Sequence, residues 1–277
     1  MLSYHGVDDA ESFERQLGFI IRRMRPVSLE EVISAVKRGR LLPQSAVLLT
    51  FDDGARSIFD AGLPLLRDHG VPAVSFVIAG LLDTDRPFWW VEAMQLAELG
   101  GTADGCPGLR GQRLTGALKR LPDQLRRAAL DQLRATASGA ASPTPQLRRH
   151  ELRLLESAGI AVGNHSLTHP SLPRCDDGQL THELTEAHRL LTDALGHTPL
   201  AVAYPHGDWD LRVVELARGL GYPLGFAYDS RVNPLPFADP LLVSRLHVES
   251  WTTLDKFAIT VSGLLPQLWR TYHRARG

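Results

Sequence analysis

The chain has 277 residues, 44% of them hydrophobic, with two cysteines and a formal net charge of -1 from 30 basic and 31 acidic side chains. That length and apolar content suit one elaborated α/β domain with a buried core, and the dispersed, balanced charge excludes the electrostatic footprint of a nucleic acid or an anionic membrane as partner. No window approaches the roughly 20 apolar residues of a membrane span and the N-terminus lacks a basic-then-apolar leader, so a cytoplasmic location is expected; Cys106 and Cys175 read as free thiols.

In chain order, "LSYH" (2–5) fits a strand ending on His5, and "SFERQLGFIIRRM" (12–24) has helical periodicity. "AVLLTF" (46–51) is a continuous apolar run of the kind found in buried parallel strands, and it leads directly into Asp52, Asp53 and Gly54. Adjacent strand residues point to opposite faces, so the two carboxylates can share a pocket only if the chain turns there, which the glycine permits. "AVSFVIA" (73–79) fits a third strand.

From about Leu81 to Pro145 the rhythm breaks. This stretch reads as a mainly helical insertion, because structureless loops beyond about 12–15 residues are uncommon in compact domains. Its "FWW" (88–90) suits the insertion's own hydrophobic core, and "LTGALKRLPDQLRRAALDQLRATA" (114–137) reads as one basic, solvent-exposed helix. Beyond it, strands fit "IAVGN" (160–164), "LAVAY" (200–204), "LGFAY" (224–228) and "LLVSRLH" (241–247), with amphipathic helices at 145–159, 178–196 and 209–221. In the second of these helices His182, Glu183, Glu186 and His188 suit a solvated face. Seven strands alternating with helices from first residue to last favour a closed parallel barrel, whose loops at the carboxyl ends of the strands form the active face.

"GNHSLTHP" (163–170) follows one of these strands and sets His165 and His169 four residues apart, with Pro170 disfavouring a helix there. Two imidazoles and a carboxylate make a catalytic zinc ligand set with a position left open for water, and Asp53 can supply the carboxylate across the barrel face. Ser166 and Thr168 suit bracing of that loop.

The chain resembles the polysaccharide deacetylases with a NodB-type catalytic domain through "TFDDG" (50–54), "HSLTH" (165–169) and "AYPHGD" (203–208), in that order and at strand ends. The resemblance implies a distorted (β/α)7 barrel, spanning residues 1–277 with the insertion within it, and metal-dependent removal of an N-acetyl group from an amino-sugar carbohydrate. It assigns Asp53, His165 and His169 to a divalent metal, zinc, and Asp52 to the general base. Related chemistry on other non-peptide C–N bonds, or a binding protein without turnover, would use the same fold. The family's third motif usually begins with arginine and carries tyrosine where this chain has Ala203 and His206. Arg245 is therefore expected to orient Asp52 from the last strand, and the backbone N–H of His206 is a candidate oxyanion donor. For the general acid, His5 is placed ahead of His247, whose family-type Leu-x-His motif is broken by Arg245. Trp209, beside the third motif, is a candidate sugar contact.

Overall fold

The computed structural model describes residues 1–263; residues 264–277, the end of the expected domain, lie outside the described residues. Nine strands occur among them: β1 (Leu2–Tyr4), β2 (Arg25–Pro26), β3 (Ala46–Val47), β4 (Leu49–Phe51), β5 (Ala73–Val77), β6 (Ile160–Asn164), β7 (Ala201–Ala203), β8 (Leu224–Phe226) and β9 (Leu246–His247). Seven form one parallel sheet in the order β8-β7-β6-β5-β4-β1-β9, while β2 and β3 form a small parallel pair. The outer strands curl toward each other. Val243, three residues before β9, makes a parallel bridge with Phe226 of β8, whereas Leu246 and His247 pair with Leu2 and Ser3 of β1. The expected strand over 241–247 thus changes neighbours midway, and that switch closes a distorted (β/α)7 barrel.

The expected strand over 46–51 is likewise two. Ala46–Val47 pairs with β2 and Leu49–Phe51 lies between β1 and β5, with the change of partner at Leu48. Period-two alternation separates the two sides of the sheet. In β5, Ala73 and Val77 join the apolar layer that contains Leu66, Leu152 and Leu155, while Val74 and Phe76 pack with Ala201, Ala203, Phe226 and Val243.

The helices are α1 (Ala10–Arg23), α2 (Leu29–Lys37), α3 (Leu63–Asp68), α4 (Trp89–Glu98), α5 (Gly111–Lys119), α6 (Asp123–Thr136), α7 (Arg149–Ser157), α8 (Asp177–Leu195), α9 (Leu211–Gly219) and α10 (Leu254–Val261). Their starts follow local chemistry: Asp9, Ser28, Asp176 and Asp210 each accept a backbone N–H from the first turn, and Ser28 with Glu31 completes a capping box. No helix among the described residues is long and apolar enough to cross a membrane.

The insertion is helical, but its basic stretch is two helices rather than one. Pro122 has no N–H to continue α5 and disfavours helical geometry at Leu121, so the chain turns and α6 begins at Asp123. Trp89, Ala93, Leu96, Leu114, Leu118, Leu130 and Leu133 pack together as the core of α4, α5 and α6. Cys106 and Cys175 are buried free thiols.

One glycine decides how the barrel is filled. A Cβ at Gly163 of β6 would lie 2.4 Å from the Phe76 ring, so the missing side chain is what admits that ring. Gly163→Ala should therefore overpack the interior and cost about 1–3 kcal/mol. Urea denaturation checks this: a midpoint equal to wild type would show that Phe76 has room to move.

Candidate active site

The turn after β4 does what the adjacent aspartates require. Asp53 and Gly54 both have φ of 68°, in the left-handed region, and the reversal brings Asp52 and Asp53 to one cavity of about 400 Å³. A Cβ on Gly54 would also meet Val77 at 3.2 Å, so glycine is needed for both space and conformation.

The loop after β6 supplies the histidines. Asn164 Oδ1 accepts the Ser166 amide at 2.7 Å, and Ser166 Oγ accepts the His169 amide at 2.9 Å, with Ser166 and His169 both at positive φ. Glu183 of α8 lies beneath the loop: its carboxylate accepts the amides of Leu167 and Thr168 at 3.0 and 2.8 Å and the Thr168 hydroxyl at 2.6 Å. Glu183 is 2% exposed, which corrects the expected solvated face at this position. His188 is also turned inward, its Nδ1 2.8 Å from the Tyr222 hydroxyl.

His165 Nε2 and His169 Nε2 stand 3.4 and 3.2 Å from Asp53 Oδ1 and 3.2 Å from each other. The Ala203 carbonyl lies 2.8 Å from His165 Nδ1, which sets that nitrogen as the donor and leaves the Nε2 lone pair facing Asp53. Burial, with His206 and His165 alongside, holds His169 well below the usual imidazole range and therefore neutral at pH 7. Two imidazoles and a carboxylate, converging with two ring nitrogens and a carboxylate oxygen at hydrogen-bond distance, fit the donor set of a divalent cation.

Asp52 points to a different partner. Arg245, fully buried just before β9, grips its two oxygens at 2.6 and 2.8 Å. The guanidinium also donates to the Ala227 carbonyl at 3.1 Å and the Thr50 hydroxyl at 3.0 Å, and lies over the rings of Phe76 and Phe226. Burial acts to raise the Asp52 carboxyl, but the charges of Arg245 and His165 outweigh it and hold it below the ordinary range.

His5 lines the cavity with Asp52 and Asp53, and its Nδ1 is 3.5 Å from Glu249. Burial pulls its pKa down, yet the bond to Glu249 and the charges of Asp53 and Asp52 lift it to about 9. His247 Nε2 reaches the same Glu249 oxygen at 3.1 Å while Tyr228 bonds its Nδ1. Burial would raise Glu249, but these two histidines hold it down at about 2. His206, in the left-handed region at φ 62°, sets its ring 4.5 Å from that of His169; burial and then Lys119 push it down to about 2. Trp209 is 43% exposed and outside the residues lining the cavity.

The sequence profile described as polysaccharide deacetylase matches residues 40–225. The chain belongs to the polysaccharide deacetylase family. Among curated relatives of this family member, it is 30% identical over 95 residues to the poly-beta-1,6-N-acetyl-D-glucosamine N-deacetylase of Escherichia coli K12, covering 30% of this chain and 14% of that protein. It is 25% identical over 92 residues to a chitooligosaccharide deacetylase of Rhizobium leguminosarum bv. trifolii, covering 33% and 43%. The matched stretches thus span less than half of either relative. The fold is similar to Streptococcus pyogenes deacetylase PplD in complex with acetate (TM-score 0.66, 19% identity, 94% and 96% of the two chains). It is also similar to IcaB from Ammonifex degensii (TM-score 0.65, 19% identity, 95% of each).

Several residues of this deacetylase-family site escape a sequence reading. Tyr228 and Glu249 flank the last two strands without a motif of their own. Gln112, Thr115, Gly116 and Lys119 of α5 line the cavity although the last three fall in a stretch that reads as a solvated basic helix, and Arg126 of α6 is buried against Trp89 rather than exposed. Trp89 and Trp90 belong to the insertion's core, as expected, and also form part of the cavity wall.

Arg245→Met should destabilise the fold by about 3–5 kcal/mol at pH 7, because it leaves the Asp52 carboxylate buried without its partner. Asp52 has a depressed folded-state pKa, so the pair's stabilisation is present above the unfolded carboxyl value of about 3.9 and is lost as pH falls through the folded value. The gap between wild type and variant should therefore narrow in acid. Urea midpoints at pH 7 and pH 3.5 test this, and equal midpoints at pH 7 would remove the claim.

Proposed function

We propose that the protein is a metal-dependent hydrolase that removes N-linked acetyl groups from an amino-sugar carbohydrate, with Asp53, His165 and His169 holding the divalent metal, zinc. The observation that carries this reading is the convergence of Asp53 Oδ1 with the two Nε2 atoms within 3.4 Å, at a cavity that also presents Asp52 and His5. A divalent cation held there supplies a Lewis acid that polarises the amide carbonyl and acidifies water.

The chain's own groups do the rest. Asp52 takes the proton from the attacking water, and Arg245 holds both carboxylate oxygens in place while that happens. The amide N–H of His206 is assigned to the carbonyl oxygen as negative charge develops. His5 returns a proton to the leaving amine: it lines the cavity, and Glu249 keeps it protonated through neutral pH. His247 shares Glu249 and Tyr228 and is the alternative donor. Trp209 is assigned to sugar units beyond the cavity. The names of the curated relatives, acting on poly-N-acetylglucosamine and chitooligosaccharide, support an N-acetylated glycan as substrate.

Acetate release from N-acetylglucosamine oligomers tests the reading. Asp52→Asn should lower kcat by about 10²–10⁴-fold while retaining bound zinc. A protonated acid is lost as pH rises through its pKa, so the wild-type rate should fall near pH 9. Glu249→Gln removes the charge that raises His5 and should move that falling limb toward neutral pH. An unshifted limb would exclude His5 as the acid, and full activity in Asp52→Asn would exclude Asp52 as the base.

A further inference from the structure

We propose that the amino-sugar substrate carries an anionic group, a carboxylate or a phosphate, and that Lys119 on the inserted helix α5 binds it. The inference rests on the deacetylase reading of the cavity and adds the chemistry of what that cavity accepts.

Gln112, Thr115, Gly116 and Lys119 recur at i, i+3, i+4 and i+7, which puts them on one helix face. All four line the cavity that holds Asp52, Asp53, His165 and His169. The opposite face carries Leu114 and Leu118 into the insertion's core, so the polar face is fixed toward the site rather than free to turn into solvent. Gly116, central on that face, leaves the space in front of the helix open, since an added Cβ would meet only the Arg120 side chain, at 3.7 Å.

Lys119 is the cation this face delivers. It is half-buried, and none of the ion pairs among the described residues includes it. The acids that line the same cavity are engaged elsewhere: Asp52 is gripped by Arg245, and Asp53 faces the two histidines. Burial lowers the ammonium below its usual value, with only Asp208 opposing. A half-buried cation that forms no ion pair costs free energy that an anionic ligand would offset.

A second observation concerns the approach to the cavity. Residues 110–127 hold six basic side chains and one acid in a chain whose net charge is -1. That acid, Asp123, is already engaged by Arg126, Arg127 and Gln179, so it cannot neutralise the rest. Arg113 and Arg120 are exposed, without an ion-pair partner among the described residues. This segment therefore sets a local positive field beside the site, which steers anions and weakens with salt. A merely solvated helix would not explain why Lys119 lines the same cavity as Asp52 and Asp53.

Three probes decide the matter: N-acetylglucosamine, N-acetylglucosamine 1-phosphate and N-acetylmuramic acid, compared by acetate release and by calorimetric binding to the zinc-loaded protein. Wild type should favour one or both anionic sugars, chiefly through KM, and the favoured one identifies phosphate or carboxylate as the group. Lys119→Met should reduce the anionic-to-neutral ratio about tenfold, Lys119→Arg should restore most of it, and 0.5 M salt should compress it. Equal or better use of the neutral sugar by wild type, or an unchanged ratio in Lys119→Met, would overturn the proposal. Binding needs no turnover, so anion-selective binding without acetate release would fail the deacetylase reading and leave this one standing, while non-selective binding would fail this one alone.

Discussion

The buried pair of Arg245 and Asp52 is the interaction on which the rest of the site depends. The guanidinium sits where the barrel's two edges meet, bonded to Asp52 and Thr50 from the β4 side and to the carbonyl of Ala227 after β8, while its own backbone leads into β9. One side chain thus ties the first motif to the closing seam. A buried guanidinium is tolerable only when its donors are matched, and here a bidentate carboxylate, a hydroxyl, a carbonyl and two aromatic faces meet it. Phe76 reaches that position because Gly163 yields the space, so a core glycine and a site carboxylate are linked through one ring.

The two carboxylates of the "TFDDG" turn consequently have separate environments. Asp52 is ionised and immobilised by a protein cation, while Asp53 has two imidazoles opposite it. Four non-glycine residues around the cavity, Asp53, Ser166, His169 and His206, adopt positive φ. Such conformations persist only where surrounding bonds over-determine them, and Glu183, Asn164 and Ser166 provide those bonds for the histidine loop. Strain concentrated at strand ends is what makes side chains from separate extended strands converge.

The parts of the fold legible in the sequence were those written locally. Apolar runs located the sheet strands, and the turn residues after 46–51 and 160–164 marked Asp53, His165 and His169 as groups that could meet at one barrel face. The closure was less visible, because 241–247 changes partner midway and periodicity carries no record of a neighbour. Glu183 was hidden for a similar reason: its helix has a polar face, and only packing against the 165–169 loop buries it. Lys119 was hidden by Pro122, which divides one basic stretch into two helices and aims the first at the cavity. Arg245 was inferable only from what the third motif lacks at Ala203, and the structure places its guanidinium on Asp52.

The proposed chemistry stands on a cation bound by Asp53, His165 and His169. Anomalous diffraction at the zinc absorption edge, from crystals of the zinc-loaded protein, tests it most directly. One strong peak is expected about 2.0–2.2 Å from His165 Nε2, His169 Nε2 and a carboxylate oxygen of Asp53. No peak there, or zinc bound elsewhere while acetate release proceeds, would contradict it.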